Sequence, residues 1–356
     1  MLATIGRPHT AVPLRATDLI GNTPMLEFAR TGSGTRLLLK LELFNPTGSG
    51  KVRMARAMVL DAERTGQLKP GGHIVEPTSG NTGLGLALIA LERGYRFTAV
   101  VDAHAAKDKL RAMAAMGAEL VSVESDAGGG PSTVQRRRVA DEIASRTGAF
   151  RPDQHNNPAN GAAYAALAAE LLDAQPNIDF LIGAVGTGGS LCGTTRELRR
   201  RGAAVTAIGV EPAGSIIFGG PGGQYWQSGA GSPAGFTIGS NVDYTVIDEG
   251  VRVGDIDAFS TARVIARRTG LLVGGTAGAA VSVALKRLAL VPPGSTVVVL
   301  ACDAGEKYLD TIYDDDWLAA RDLLDHAAHH RFHRLLGAYA DSVGIAERDL
   351  LQRAGA

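Results

Sequence analysis

Short apolar, β-branched runs alternate along the chain with longer stretches in which Ala and Leu recur at helical spacing. The runs at residues 35–43, 73–76, 96–101, 119–123, 180–185, 204–211 and 295–301 read as strands. Residues 51–65, 81–93, 105–116, 131–147, 158–174, 189–201, 255–269 and 278–290 read as helices. Strand–helix alternation of this kind predicts an α/β fold with a mostly parallel sheet. Two glycine-dense stretches break the rhythm. Residues 127–131 read as a turn-rich joint. Residues 214–239 hold nine glycines with Phe218, Tyr225, Trp226 and Phe236, and a loop of that length in a compact protein reads as a cover over an active site.

The tail after Leu318 differs in composition. His326, His329, His330 and His333 fall at i, i+3, i+4, i+7, on one face of a helix. Two His at i, i+4 can ligate zinc, but no acidic general base accompanies them, so the expected role is a hydrophilic face with no metal. Leu323, Leu324, Phe332, Leu335 and Leu336 form a second stripe that would pack on the body or on a partner subunit.

Charge and composition narrow the function classes. The 356 residues carry 36 Lys plus Arg and 36 Asp plus Glu, a net charge of zero, which removes the electrostatic case for nucleic acid or an anionic membrane. The apolar runs at 84–91 and 180–185 are far shorter than the roughly 18–20 residues of a membrane span. Cys192 and Cys302 are the two cysteines, too few for a disulfide framework or a four-thiolate zinc site. The expectation is a cytoplasmic protein acting on small molecules.

Four local patterns could carry chemistry. Asn45-Pro46-Thr47-Gly48-Ser49-Gly50-Lys51 ends a strand in a glycine-rich turn and puts a lysine at a helix start, where the helix dipole favours a neutral amine able to form a Schiff base. It is not a Walker loop, because Val52 replaces the required hydroxyl residue. Glu76-Pro77-Thr78-Ser79-Gly80-Asn81-Thr82-Gly83 points amides and three hydroxyls at one spot above a helix N-terminus, a carboxylate or phosphate receiver. Gly186-Thr187-Gly188-Gly189-Ser190 can wrap a monophosphate; Leu191 stands where a dinucleotide fingerprint needs its third glycine. In Gly274-Gly275-Thr276-Ala277-Gly278 a lone hydroxyl among small residues can face a flat ring.

In this order the four patterns resemble the cysteine synthase and cystathionine β-synthase family of pyridoxal-phosphate (PLP) enzymes, fold type II. Leu19-Ile20-Gly21-Asn22-Thr23-Pro24, Gly209-Val210-Glu211-Pro212 and Gly305-Glu306-Lys307-Tyr308-Leu309 extend the match to about residues 18–317. The resemblance implies two open, mostly parallel α/β domains of tryptophan synthase β-like architecture with the cofactor in the cleft between them. Residues 1–45 plus 153–317 would form the larger, phosphate-binding domain, 46–152 the smaller, and 318–356 a helical extension.

It also implies roles. Lys51 would hold PLP as a Schiff base and move the substrate α-proton. Asn81 would bond the ring oxygen, Gly186, Thr187, Gly188, Gly189 and Ser190 would cradle the phosphate, and Thr276 would face the pyridine nitrogen. Thr78, Ser79, Gly80, Thr82 and Gln154 would receive the substrate carboxylate, with His155 beside them. A neutral hydroxyl at the pyridine nitrogen favours β-elimination over a long-lived carbanion. The implied reaction is β-replacement on O-acetyl- or O-phospho-L-serine through an α-aminoacrylate, giving L-cysteine or a related β-substituted alanine, in a homodimer.

This sequence departs from the family pattern at three places. Val52 follows the lysine where Asp is usual, His155 stands in place of Phe, and Thr237-Ile238-Gly239-Ser240-Asn241 replaces a Gly-Ile-Gly loop. Gly214 to Gly219, Arg136-Arg137-Arg138 and Asp316-Trp317-Leu318 resemble diaminopropionate-forming synthases that use an amine nucleophile. A serine/threonine dehydratase and a PLP-free binding paralogue are the remaining alternatives.

Overall fold

A computed structural model describes residues 12–102, 105–124 and 132–339. Nine strands make two sheets. They are β1 (Met25–Arg30), β2 (Arg36–Leu41), β3 (His73–Pro77), β4 (Arg96–Asp102), β5 (Glu119–Val123), β6 (Phe180–Ala184), β7 (Thr206–Pro212), β8 (Glu249–Val253) and β9 (Thr296–Ala301). The larger sheet has the order β1-β2-β9-β6-β7-β8 and the smaller β3-β4-β5. All pairings are parallel except β1 with β2. Every residue of β9 is buried, as a central parallel strand covered on both faces requires. Each of its Val and Leu side chains contributes roughly 1.5–3 kcal/mol by leaving water.

The helix Gly275–Arg287 lies on the large sheet, in contact with β6, β7, β8 and β9, and its first eleven residues, Gly275 to Leu285, are all buried. Small side chains make that approach possible: a Cβ on Gly278 would overlap the Ala258 carbonyl oxygen of the neighbouring helix Asp255–Thr269. Against the small sheet pack the helices Asn81–Arg93 and Ser132–Thr147, and Lys51–Arg64 packs in turn on Asn81–Arg93 within the same apolar cluster, through Val52, Ala55, Val59, Leu86 and Ile89.

Several expectations need correction. Strand β1, which pairs with a bulge between Glu27 and Ala29, and the mostly exposed β8 carry too little apolar alternation to be read from sequence. The expected helix 158–174 is two, Pro158–Ala162 and Ala165–Ala174, meeting at buried Tyr164, whose hydroxyl bonds the Gly50 carbonyl. The helix expected from 278 starts at Gly275, which puts Thr276 in its first turn. The joint at 127–131 falls outside the described residues. In the tail, the helix His326–Ala338 buries Phe332 and Leu336 against Asp255–Thr269, and among the described residues no His, Cys, Asp or Glu cluster could hold a metal. No helix among them is long and apolar enough to cross a membrane.

Candidate active site

The four patterns meet at the carboxyl ends of β2, β3, β6 and β9, where open α/β sheets place their ligands. After β2 the chain makes a 3-10 turn, Glu42–Phe44, then a sharp bend in which Thr47 and Gly48 take left-handed φ of 67° and 62°. That bend delivers Lys51 as the first residue of the helix Lys51–Arg64. Gly50 cannot carry a side chain, since its Cβ would lie 2.8 Å from Glu42 Oε2. Burial pushes the Lys51 ammonium below the usual lysine range, and Cys302 and Asp303 pull weakly the other way. The helix dipole acts in the same direction as burial. Among the described residues Lys51 Nζ has no hydrogen-bond or ion-pair partner. Beneath it a small cavity is lined by Ser49, Tyr164, Ser190 and Cys302, so the lysine turn and the phosphate loop share one wall.

The phosphate loop joins β6 to the helix Gly189–Arg200. Gly188 has φ of 87°, and a Cβ there would overlap the Asn241 carbonyl; one on Gly186 would sit 2.8 Å from the Gly229 carbonyl oxygen. Thr187 Oγ1 accepts from Asn160 Nδ2 at 3.1 Å and from the Gly189 amide at 3.4 Å. The amides of Gly186, Thr187 and Gly188 bond to nothing among the described residues. These are free donors at a helix N-terminus, where an anion binds.

Asn81 opens its helix, and its amide is oriented by two neighbours. Lys307 Nζ donates to Oδ1 and Nδ2 donates to Asp303 Oδ2, each at 2.8 Å. Only one assignment of the amide satisfies both, and the same side chain also bonds the Tyr308 hydroxyl. Asp303, 2 % exposed, also accepts from Tyr308 Oη, while its Oδ1 is buried without a partner. Lys109 lies 4.1 Å over the Tyr308 ring. Burial lowers both Lys109 and Lys307, the latter to about 8. Thr276 is buried, its hydroxyl unpartnered among the described residues, below Gly229.

Thr82 Oγ1 donates to Gln154 Oε1 at 2.6 Å, which leaves Gln154 Nε2 free to donate. The Thr78 hydroxyl oxygen accepts from the Gly83 amide and weakly from that of Gly80, the residue before the helix. Ser79 Oγ accepts from the Asp102 amide at 2.7 Å and from Arg136 Nη1 at 3.1 Å. The Thr82 hydroxyl thus gives its proton to Gln154, whereas the Thr78 and Ser79 hydroxyls accept and keep a proton to donate. His155 packs edge-on against Phe236, centroids 5.2 Å apart, and burial followed by the Lys51 charge lowers it to about 4. It is a neutral imidazole at ordinary pH.

The long loop reaches the site at two points, Gly229 over Gly186 and Phe236 against His155. It contains no helix or strand, yet Ser215, Glu211 and Asp255 pin it by hydrogen bonds to Ser232, Ile217, Phe218 and Trp226. Arg321 lies over both Trp226 and Trp317, at 4.6 and 4.3 Å, and the two rings meet edge-on at 5.6 Å, tying the tail to this loop. Sequence reasoning assigned no role to Asp303, Lys307, Tyr308, Lys109 or Asn160. The only signal was the Gly305 to Leu309 motif, which names two of them without saying what they touch.

Comparison with known proteins shows the family. The family described as "Pyridoxal-phosphate dependent enzyme" matches residues 16–303. A Sinorhizobium fredii (strain NBRC 101917 / NGR234) protein named "Putative cysteine synthase" is 51 % identical over 90 % of this chain and 95 % of its own. The N-(2-amino-2-carboxyethyl)-L-glutamate synthase of Ralstonia nicotianae (strain ATCC BAA-1114 / GMI1000) is 35 % identical over 85 % and 90 %. Among solved structures, an O-ureido-L-serine synthase superposes with TM-score 0.78 at 34 % identity, covering 87 % of this chain and all of that one. O-acetylserine sulfhydrylase isoform 3 of Entamoeba histolytica gives 0.82 at 31 %, covering 94 % and 99 %.

The residues fit PLP. The cradle at Gly186–Ser190 excludes a Cβ at Gly186, Gly188 and Gly189 yet offers unpaired amides, the buried residue Thr276 has a hydroxyl with no partner among the described residues, and Lys51 Nζ is an unpartnered primary amine.

Proposed function

The chain belongs to the pyridoxal-phosphate-dependent enzyme family, and on that premise we propose that Lys51 is the residue that holds the cofactor and moves the α-proton. The reaction class is β-replacement on an O-activated L-serine. The observation that carries the assignment is the Lys51 amine, pushed toward neutrality and unpartnered, on a cavity wall it shares with Ser190 of the phosphate loop. When bound, PLP supplies the electron sink that makes the substrate α-proton labile.

The remaining work falls to the chain. Gln154 Nε2 with the Thr78 and Ser79 hydroxyls binds the substrate carboxylate. The Asn81 side-chain amide would bond the cofactor ring oxygen, the Gly186–Ser190 amides would hold its phosphate, and the Thr276 hydroxyl would face its ring nitrogen. Lys51 takes the Cα proton as the Cβ–O bond breaks, and returns it to Cα after a nucleophile has bonded to Cβ. The nucleophile we assign is sulfide, giving L-cysteine; the support is the half-identical relative that spans nearly the whole chain. A second reading uses O-phospho-L-serine and an amino-acid amine. Arg136 favours it, because its guanidinium at Ser79 sets a cation beside the carboxylate loop, where an additional acidic group would be held. A homodimer in the cytoplasm belongs to the same reading and rests on the resemblance.

The test begins with protein reconstituted with PLP and reduced by borohydride. The label is expected on the peptide containing Lys51, and Lys51→Ala is expected to lack the cofactor absorption band; label on another lysine overturns the assignment. O-acetyl- and O-phospho-L-serine are then added separately, followed by sulfide or L-glutamate. The pair that turns over fastest identifies the reaction, and keto-acid release with no nucleophile would make the protein a dehydratase.

A further inference from the structure

Glu76 is 1 % exposed, at the end of β3, two residues before Thr78. Its two carboxylate oxygens accept from consecutive backbone amides, Asp153 at 3.1 Å and Gln154 at 3.3 Å. Those amides lie where the chain crosses from the small sheet to the large one, and Asp153 there has a left-handed φ of 46°. The crossing carries Gln154 and His155, which have no tie of their own to β3. Glu76 is therefore a direct link between two jaws of one site, beside the Thr82–Gln154 bond and the Phe150 bridge to Ile74: the Thr78–Ser79 loop grows from its own strand, and the Gln154 amide bonds its carboxylate.

We propose that Glu76 is a positioning residue whose ionised carboxylate, gripping the Asp153 and Gln154 amides, keeps Gln154 in register with the Thr78–Ser79 loop for the substrate carboxylate. The proposal rests on the substrate reading given above. Ionisation matters because a carboxylate can accept on both oxygens, whereas a protonated carboxyl turns one of them into a donor and leaves one amide unpaired. Burial pushes Glu76 up to about 7, so the grip is made and lost in the neutral range.

The charged groups around it are few. Arg151 Nε lies 3.9 Å away with no hydrogen-bond partner, and Asp153 opposes it from the crossing itself. Beyond these, Asp141 pairs with Arg151, and Arg137 with Asp153 at 3.6 Å, both from the helix Ser132–Thr147. Across the sheet the register partner on β4 is Ala99, which is uncharged. His73, on the same strand, projects from the opposite face.

Two measurements on the PLP-loaded enzyme test this. The first is KM and kcat for O-acetyl-L-serine between pH 6 and 8.5. Wild type should show KM falling as pH rises through about 7. Glu76→Gln should raise KM about tenfold at pH 8 with kcat changed less than about threefold, flatten the profile, and converge with wild type at pH 6, for one bidentate grip lost. Arg151→Gln, which keeps Glu76, should move the wild-type inflection to higher pH. The second is amide hydrogen exchange of residues 152–158, corrected for the intrinsic pH effect: protection should grow from pH 6 to 8 in wild type and stay low in Glu76→Gln. Equal KM at pH 8, parallel pH profiles, or equal protection would overturn the proposal. Exchange needs no turnover, so a protein that lacks this substrate but shows the exchange difference would refute the substrate reading and leave the Glu76 grip standing.

Discussion

Arg53 lies two residues beyond Lys51 and anchors the helix that presents it. Its guanidinium forks onto two carboxylates: Nε and Nη2 donate to Glu42 at 2.7 and 2.8 Å, and Nη1 and Nη2 to Glu170 at 2.8 and 2.9 Å. Lys40 completes the group through Glu170 at 2.7 Å, so two cations face two anions in a nearly water-free space. Arg53→Met would leave two carboxylates and one ammonium there. Breaking one partner of such a buried pair costs about 3–5 kcal/mol. An independent route gives the same size. Although burial works against the charge, Arg53 and Lys40 hold Glu170 at about 2, against an ordinary 4.5. That difference, at 1.36 kcal/mol per unit, is about 3 kcal/mol. The sign follows from the depression: this stability is present above the unfolded value and is lost as pH falls toward the folded one. Urea unfolding of wild type and Arg53→Met, followed by circular dichroism at pH 7, 5 and 3.5, should therefore show a gap of about 3–5 kcal/mol at pH 7 that narrows toward pH 3.5. A gap below about 1 kcal/mol at pH 7, or one that stays constant with pH, would refute the reasoning.

Two further outcomes follow from the site. Gly188→Ala combines a left-handed backbone, at about 1–2 kcal/mol, with an overlap on the Asn241 carbonyl, and should weaken PLP binding at least tenfold in a fluorescence titration. Gly202→Ala, with φ of 90° and open space around its Cβ, should carry only the backbone cost and bind PLP normally. His155, held at about 4 by burial and by the Lys51 charge, should stay neutral throughout pH 5–8. An NMR titration of the imidazole resonances, assigned by their loss in His155→Phe, should show no change for His155 in that range, and a midpoint near 6.5 would contradict the environment described.

The legible parts of the fold were those whose signal is local and doubly buried. Strand β9 reads as a strand from its own residues because both faces are covered and no polar position interrupts it. Strand β8 does not, because its burial pattern is four exposed or half-buried residues and one buried one, and its existence depends on β7 offering a free edge. The break between the helices at Tyr164 is equally non-local: the sequence Ala-Ala-Tyr-Ala-Ala is uniformly helical in preference, and what interrupts it is a hydroxyl reaching Gly50, 114 residues away in the chain.

The same division runs through the site. A helix N-terminus with free amides is made by neighbouring residues, so the loops at 78–83 and 186–190 announce themselves in sequence. What those loops need in order to act is supplied from far away. The direction of the Asn81 amide is set by Lys307 and Asp303, more than 200 residues downstream, and neither could be given that role from its own neighbourhood. Asn160 joins the Gln154 carbonyl to Thr187, coupling the carboxylate side of the site to the phosphate side through one buried side chain. The pattern has a physical reason. Groups that touch a ligand must leave donors unsatisfied within the protein, and such donors cluster at turns that any strand-to-helix junction can form. Groups that hold those donors still are buried and draw partners from several elements at once. The ligand-facing residues are therefore local in sequence, and the residues that aim them, Glu76 among them, are legible only once the sheets are assembled.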